Sequence, residues 1–170
     1  ENMIFIYELI KILRIKHKNL FKVLKSFKGL NHRHEIFLKK KNISFINDSK
    51  ATSFEASRFA LSSNKNIFWI VGGLPKLNDR FKLKGLSNNI IKTFVIGKNL
   101  KFFKKQLAGK VNFEISKTLK KALVSIFKII IKTPDKKVSI LLSPASASFD
   151  QFKNFEERGN YFNKVIKKIL

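Results

Sequence analysis

The sequence predicts an α/β domain: a Rossmann-like, mostly parallel sheet flanked by helices. Three observations carry that expectation. Short apolar runs such as "IFWIV" (67–71) and "VSILL" (138–142) have the length of strands buried on both faces. Segments with apolar residues at helical spacing lie between such runs. The two kinds of segment alternate along the chain, as parallel βαβ units require.

The first 27 residues stand apart from that alternation. Ile4, Leu9, Ile12 and Leu13 mark the apolar face of one helix, and Leu20, Val23, Leu24 and Phe27 that of a shorter second one. "KGLNHRHE" breaks the period at Gly29, which places a domain boundary near residues 29–34. "ISFIN" (43–47) then reads as a strand, with a helix over 53–62. The strand 67–71 follows, and "KTFVIG" (92–97) is a further strand with a helix from 99 to 108. "VNFEI" (111–115) is a short strand. "KTLKKALVSIFKIII" (117–131) is a helix by its length and by the spacing of Leu119, Leu123, Ile126 and Ile130. After "VSILL", apolar residues from Phe149 to Ile169 mark a C-terminal helical region, interrupted at Gly159.

A chain of 170 residues is long enough for one ordinary core. With no Cys it has neither disulfides nor thiolate metal sites, which fits a reducing compartment. It opens on Glu1 and its single Met is Met3, as expected of a fragment of something longer. The apolar opening "MIFIYELIKIL" is broken by Glu8 and Lys11 and lacks a basic flank, so no signal peptide is expected. No apolar run reaches the length of a membrane span.

The net charge of +25 invites a nucleic-acid reading. Two features count against it. Arg occurs only at Arg14, Arg33, Arg58, Arg80 and Arg158, and the rest of the 36 basic residues are Lys. Phosphate and base-edge recognition favours the planar fork of Arg. The lysines are also spread along the whole chain, and abundant Lys, Ile, Asn and Phe are what an A/T-rich genome produces. Neither nucleic acid nor a membrane is an expected partner.

Ligands of open parallel sheets bind beyond the carboxyl ends of the strands. Three loops leave the strands there. In "NDSKATSFE", Thr52 and Glu55 fit a capping box, which puts a helix N-terminus at Thr52. Lys50 adds a mobile charge, and Asp48 can accept hydrogen bonds from a ribose or an amine. In "GGLPK", Gly72 and Gly73 allow close backbone approach, Pro75 stiffens the turn and Lys76 points a charge into the same space. In "SPASASFDQ", Ser148 and Gln151 fit a second capping box, with Ser143 and Ser146 on its approach. Two helix N-termini and two lysines at one sheet edge suit a ligand with two separated negative groups. There is no G-x-x-x-x-G-K-[ST] loop and no G-x-G-x-x-G. His17, His32 and His34 form no convincing metal set.

The motifs "GLNHRHE", "INDSKAT", "GGLPK" and "LLSPASASFDQFKNFEERG", in this order, resemble the C-terminal domain of the ATP-dependent Mur ligase family of peptidoglycan synthesis, in its D-glutamate-adding branch. Ser146 stands where that family often has Cys or Ala. The resemblance covers nearly the whole chain. It implies that residues 1–28 are the last helices of the family's central ATP-binding domain and that 29–170 are its amino-acid-binding domain. The implied activity joins D-glutamate to UDP-N-acetylmuramoyl-L-alanine through an acyl phosphate made with ATP. Carried over by motif, Thr52 and Lys76 hold one D-glutamate carboxylate, and the Ser148 hydroxyl with the Phe155 backbone holds the other. Asn2, Arg33 and Asp48 match positions that contact the adenine and ribose of ATP, and Lys50 faces the phosphates or the reaction centre. The family's phosphate-binding loop, its Mg2+ ligands and its carbamylated lysine lie upstream of the matched region. The resemblance further implies a cytoplasmic enzyme that is monomeric when complete, of which this chain is the last third and inactive alone. Two relatives of the same fold are less well matched. Ligases adding a dibasic residue carry a D-N-P-R-like stretch, absent here, and folate polyglutamylating ligases lack the S-P-A-x-A-S-x-D-Q-F run. A basic nucleic-acid-binding module is the alternative of a different class.

Overall fold

A computed structural model describes residues 2–27, 29–82 and 85–170, and of Asn2 the backbone only. The chain forms two compact units, Glu1–Leu30 and Asn31–Leu170. The first holds α1 (Asn2–Ile12) and α2 (His17–Ser26). Its apolar side chains are largely uncovered: Phe5, Ile12, Phe21 and Val23 are each more than 60% exposed, and Ile10 alone is buried among the described residues up to Phe27.

The second unit is a six-stranded sheet with helices on both faces. Its strands are β1 (Glu35–Lys40), β2 (Ile43–Asn47), β3 (Ile67–Gly72), β4 (Ile90–Ile96), β5 (Phe113–Lys117) and β6 (Val138–Leu142), in the order β1-β2-β6-β3-β4-β5. β1 pairs antiparallel with β2, and every other pairing is parallel. The α/β, mostly parallel fold expected from the sequence is therefore observed. The helices are α3 (Phe54–Ser62), α4 (Leu100–Leu107), α5 (Leu119–Ile130) and α6 (Phe155–Ile169).

The period-2 geometry of a strand sends alternate residues to two cores. Phe45, Phe68, Ile70, Phe94, Ile140 and Leu142 face one way, into a cluster with Leu123 and Ile126 of α5 and Phe162 and Ile166 of α6. Ile46, Trp69, Val71, Val95 and Leu141 face the other way, toward Leu61 of α3 and Phe103 and Leu107 of α4. With both faces covered, all of β3 and all of β6 are buried, which is why they read as mostly apolar runs, with Ser139 a buried polar exception.

Several sequence expectations are corrected. β1 was not anticipated, because "EIFLKK" carries Glu35, Lys39 and Lys40 and reads as a polar segment; as an antiparallel edge strand it needs only partial cover. β5 lies at Phe113–Lys117 rather than 111–115, since Thr93 of β4 aligns with Phe113. Gly159 does not interrupt α6, which runs unbroken to Ile169. It serves close packing instead: a Cβ at Gly159 would collide with the His32 ring.

Candidate functional site

β2 leads into α3 on one face of the sheet and β6 into α6 on the other, and β2 and β6 are neighbours. Chains diverging to opposite faces leave a crevice beyond the carboxyl ends of those strands. Here the Asp48 N–H donates to Leu142 O at 2.8 Å, so the two loops start side by side. The third loop is tied in by paired backbone bonds between Leu74 and Ala147, each 2.9 Å. Lys76 thus follows by two residues, and Ser148 by one, a pairing that joins "GGLPK" to "SPASAS". Gly73 is required at this crossing: its φ is +139°, and a Cβ there would meet the Ala147 carbonyl and lie 2.5 Å from Ser146 Oγ.

Neither capping box is formed as the spacing suggests. Ser53, not Thr52, caps α3: Ser53 Oγ accepts from the Ala56 N–H at 3.2 Å, and Glu55 pairs with Arg58 at 2.8 Å. Ser148 starts a turn rather than a helix, with the Gln151 and Phe152 N–H groups bonded to its carbonyl at 3.1 and 2.9 Å. The helix waits for Asn154, whose Oδ1 accepts from the Glu157 N–H at 2.8 Å while Glu157 Oε2 accepts from the Lys153 N–H at 2.6 Å. Asn154-x-x-Glu157 satisfies two N–H groups, one with the Asn154 amide oxygen and one with the Glu157 carboxylate, whose charge also suits the helix dipole. The two helix N-termini are therefore at Ser53 and Asn154, and Phe155 is the first residue of α6.

Around the crevice, an inner framework has its polar groups engaged. Ser143 Oγ donates to Asp48 Oδ2 at 2.6 Å and lies 2.8 Å from Ser57 Oγ. The Trp69 indole N–H donates to Ser143 O at 2.7 Å. Asn47 Nδ2 donates to Gly159 O and Asn163 Oδ1. Ser49 Oγ donates to Phe155 O at 2.8 Å. Outside this framework, the Thr52 and Ser148 hydroxyls, the Lys76 ammonium and the Phe155 N–H find no hydrogen-bond partner among the described residues. The structure gathers the loops that bear Thr52, Lys76, Ser148 and Phe155 and leaves these polar ends unbonded, Lys76 exposed, Thr52 and Phe155 half-buried and Ser148 buried.

A hollow of about 300 Å³ opens beside them, lined by Arg33, His34, Asp48, Lys50, Ala51, Ala56 and Phe59. His34 packs edge-on against the exposed Phe59 ring, with centroids 5.0 Å apart. Asn64 Nδ2 lies 2.9 Å from His34 Nε2, and burial lowers the His34 pKa, favouring the neutral ring. Lys50 Nζ rests 3.9 Å above the Phe155 ring, a cation–π contact that links this hollow to the start of α6. Asn2, the remaining candidate nucleotide contact, belongs to the first unit, and its side chain lies outside the described residues.

Several framework residues, among them Asn47, Ser49, Ser57 and Trp69, were not singled out from the sequence, and neither was Arg158, whose guanidinium bonds to Ser49. A signal for Arg158 existed. It lies in register with Phe155 and Phe162 on the apolar stripe of α6, and it is one of five arginines in a lysine-rich chain.

Asp48 is 8% exposed, and burial raises its carboxyl from 3.8 to about 6, against the opposing pull of the Ser143 and His34 bonds and the Arg33 charge. An acid whose folded pKa exceeds its unfolded one favours folding when protonated. Its contribution is greatest below the unfolded pKa and is lost as pH rises through the folded one. Asp48→Asn removes that titration. Its stability relative to the parent chain should climb between about pH 4 and pH 6, then level off, a total change of about 1–3 kcal/mol. Urea unfolding of both chains across that range checks this, and a pH-independent gap contradicts it.

A Rossmann-like α/β domain with polar groups gathered at a switch in strand order belongs to the class of folds whose ligands bind at the strands' carboxyl ends. No protein-family model matches the chain. Individual proteins do. It is 41% identical over 159 residues to a protein of Wolbachia sp. subsp. Brugia malayi named UDP-N-acetylmuramoylalanine--D-glutamate ligase, a match covering 94% of this chain and 32% of that protein. Proteins of the same name from Mesorhizobium japonicum and Bartonella henselae are 44% identical over 146 residues and 37% identical over 169, covering 86% and 99% of this chain and 31% and 36% of theirs. The chain spans about a third of the length of these relatives. It is a relative of the C-terminal part of the D-glutamate-adding Mur ligases, and the resemblance drawn from its four motifs is borne out.

Proposed function

We propose that this chain forms the C-terminal part of an ATP-dependent ligase that joins D-glutamate to UDP-N-acetylmuramoyl-L-alanine in peptidoglycan synthesis. In this proposal residues 29–170 are the amino-acid-binding domain, and 1–28 end the central ATP-binding domain. The observation that carries it is the division at the sheet edge between an engaged framework and the unengaged polar ends of Thr52, Lys76, Ser148 and Phe155. Such an edge is built to receive a small, doubly anionic ligand. Lys76 and Thr52 take one carboxylate of D-glutamate. The Ser148 hydroxyl and the Phe155 N–H, at the positive end of α6, take the other. With both carboxylates fixed, the amine is the group left free to attack.

The hollow beside the pocket fits part of a nucleotide. Arg33 and Lys50 offer positive charge, Asp48 an acceptor, and His34 with Phe59 an aromatic edge. ATP, when bound, would activate the muramyl carboxylate as an acyl phosphate. The complete enzyme is proposed to work as a monomer in the cytoplasm. No group of three or more His, Cys, Asp or Glu suited to a metal occurs among the described residues, and the Mg2+ ligands are assigned to the upstream part of the enzyme.

In that complete enzyme, Arg33→Ala should raise the KM for ATP by about tenfold, the low end for losing a hydrogen bond to a charged group, and that for D-glutamate by much less. Unchanged ATP kinetics would leave Arg33 a surface residue. The overall reading is tested by turnover of the complete enzyme with a panel of amino acids. D-glutamate should support it; exclusive use of another amino acid refutes it.

A further inference from the structure

Arg158 is 1% exposed, yet no carboxylate lies within ion-pair distance of it among the described residues. Nε donates to Ser49 Oγ at 3.0 Å, and Nη2 donates to Ser49 O at 2.8 Å and Ser146 O at 3.0 Å. Nη1 is buried and has no partner. It faces the third loop, since a Cβ on Gly73 would lie 3.3 Å from it. One guanidinium therefore bonds the loop after β2 and the turn after β6 and lies beside the loop after β3.

A buried charge with no counter-ion is expensive, by several kcal/mol before hydrogen bonds offset it. A staple for three loops does not need it, since neutral groups bond carbonyls as well. Burial lowers the Arg158 pKa only to about 10, so the group is charged at neutral pH. The nearest acid that acts on it, Asp150, is bound to the Lys98 N–H at 2.8 Å and influences it only at a distance. With no carboxylate among the described residues in ion-pair contact, the charge is only partly offset behind a turn, "SPASAS", that has no charged side chain of its own.

We infer that Arg158 is a positioning residue for the anionic substrate: it fixes the β2 loop and the 143–148 turn as one cradle and supplies that cradle with positive charge from behind. This inference rests on the amino-acid pocket proposed above. Arg158 lies one helical turn beyond Phe155 on the same face of α6, so its field reaches the carboxylate assigned to Ser148 and the Phe155 N–H. Arg158 does not touch the substrate. It acts through Ser146, Ser49 and the loops they hold.

The test uses the complete ligase with Arg158→Met, which keeps the stem and removes the charge, and Arg158→Lys, which keeps the charge without the fork. Melting temperature reports folding, and KM is measured separately for D-glutamate and ATP. Arg158→Met should raise the D-glutamate KM about tenfold, the order expected of two unit charges interacting without contact near a protein surface, and move the ATP KM by less than about twofold. Arg158→Lys should fall between Met and the parent. A folded Met variant with an unchanged D-glutamate KM overturns the inference, and so does an equal rise in both KM values, the mark of a mere staple. If neither variant folds, the Arg158 Nη hydrogens of the unsubstituted enzyme are followed by NMR. They should shift on adding D-glutamate and not on adding ATP; no shift with D-glutamate overturns the inference. An unsubstituted enzyme that does not use D-glutamate refutes the underlying substrate assignment instead.

Discussion

The 170-residue chain assayed alone should release no phosphate from ATP in response to D-glutamate and UDP-N-acetylmuramoyl-L-alanine. The sequence has no G-x-x-x-x-G-K-[ST] loop to cradle a γ-phosphate. Phosphoryl transfer depends almost entirely on positioning and electrostatic stabilisation. Loss of a single preorganised donor slows comparable reactions about 100- to 1,000-fold, and here a whole phosphate cradle would be missing. The rate should lie below detection and return when the upstream part of the ligase is supplied. Phosphate release by the isolated chain that requires both substrates would contradict the proposal that it is the C-terminal part of the enzyme.

Lys76→Ala in the complete enzyme should weaken D-glutamate by about 10- to 150-fold, the equivalent of one hydrogen bond to a charged group at about 1.5–3 kcal/mol. Lys76 is exposed and its ammonium has no partner among the described residues, so its removal should cost little stability. The pairing of Leu74 with Ala147 would still hold the loop against the serine turn. KM values for ATP and the muramyl nucleotide should barely move. Ser148→Ala should have a smaller effect than Lys76→Ala, because the Phe155 N–H remains. Steady-state kinetics on each substrate in turn checks both variants. An unaltered D-glutamate KM and kcat in Lys76→Ala would remove Lys76 from the pocket.

The fold was legible where burial is two-sided. β2 and β6 occupy the residues expected, and β3 differs only by including Gly72, because strands covered on both faces are mostly apolar. β1 escaped notice because an edge strand is half solvated, and its charged residues hide the period. The loops that carry the candidate site were also legible, since Gly, Pro and Ser clusters punctuate the chain where strands end. The caps were not. Thr52 against Ser53, and Ser148 against Asn154, are each alternative starting points for one helix, decided by backbone geometry that spacing does not reveal. Arg158 was hidden by composition. Among 36 basic residues a buried one resembles the rest, and only its place on the apolar stripe of α6 distinguishes it.

The serine turn is neutral in a lysine-rich chain. The sequence places Lys76 on the neighbouring loop as a charge for the same space. The structure adds Arg158 beneath the turn, bonded to the Ser146 carbonyl. A small, neutral turn with charge on two sides leaves room for a ligand and presents hydroxyls and N–H groups to it, without lysines that would repel one another.

Amide hydrogen exchange of the complete enzyme, with both nucleotide substrates present and D-glutamate added or withheld, tests the two-anchor pocket most directly. D-Glutamate should slow exchange together in two stretches far apart in sequence, Gly73–Lys76 and Ala147–Phe155, because it bridges them. Slowing in only one stretch, or only in the surface hollow around Glu114 and Ser125, would contradict it.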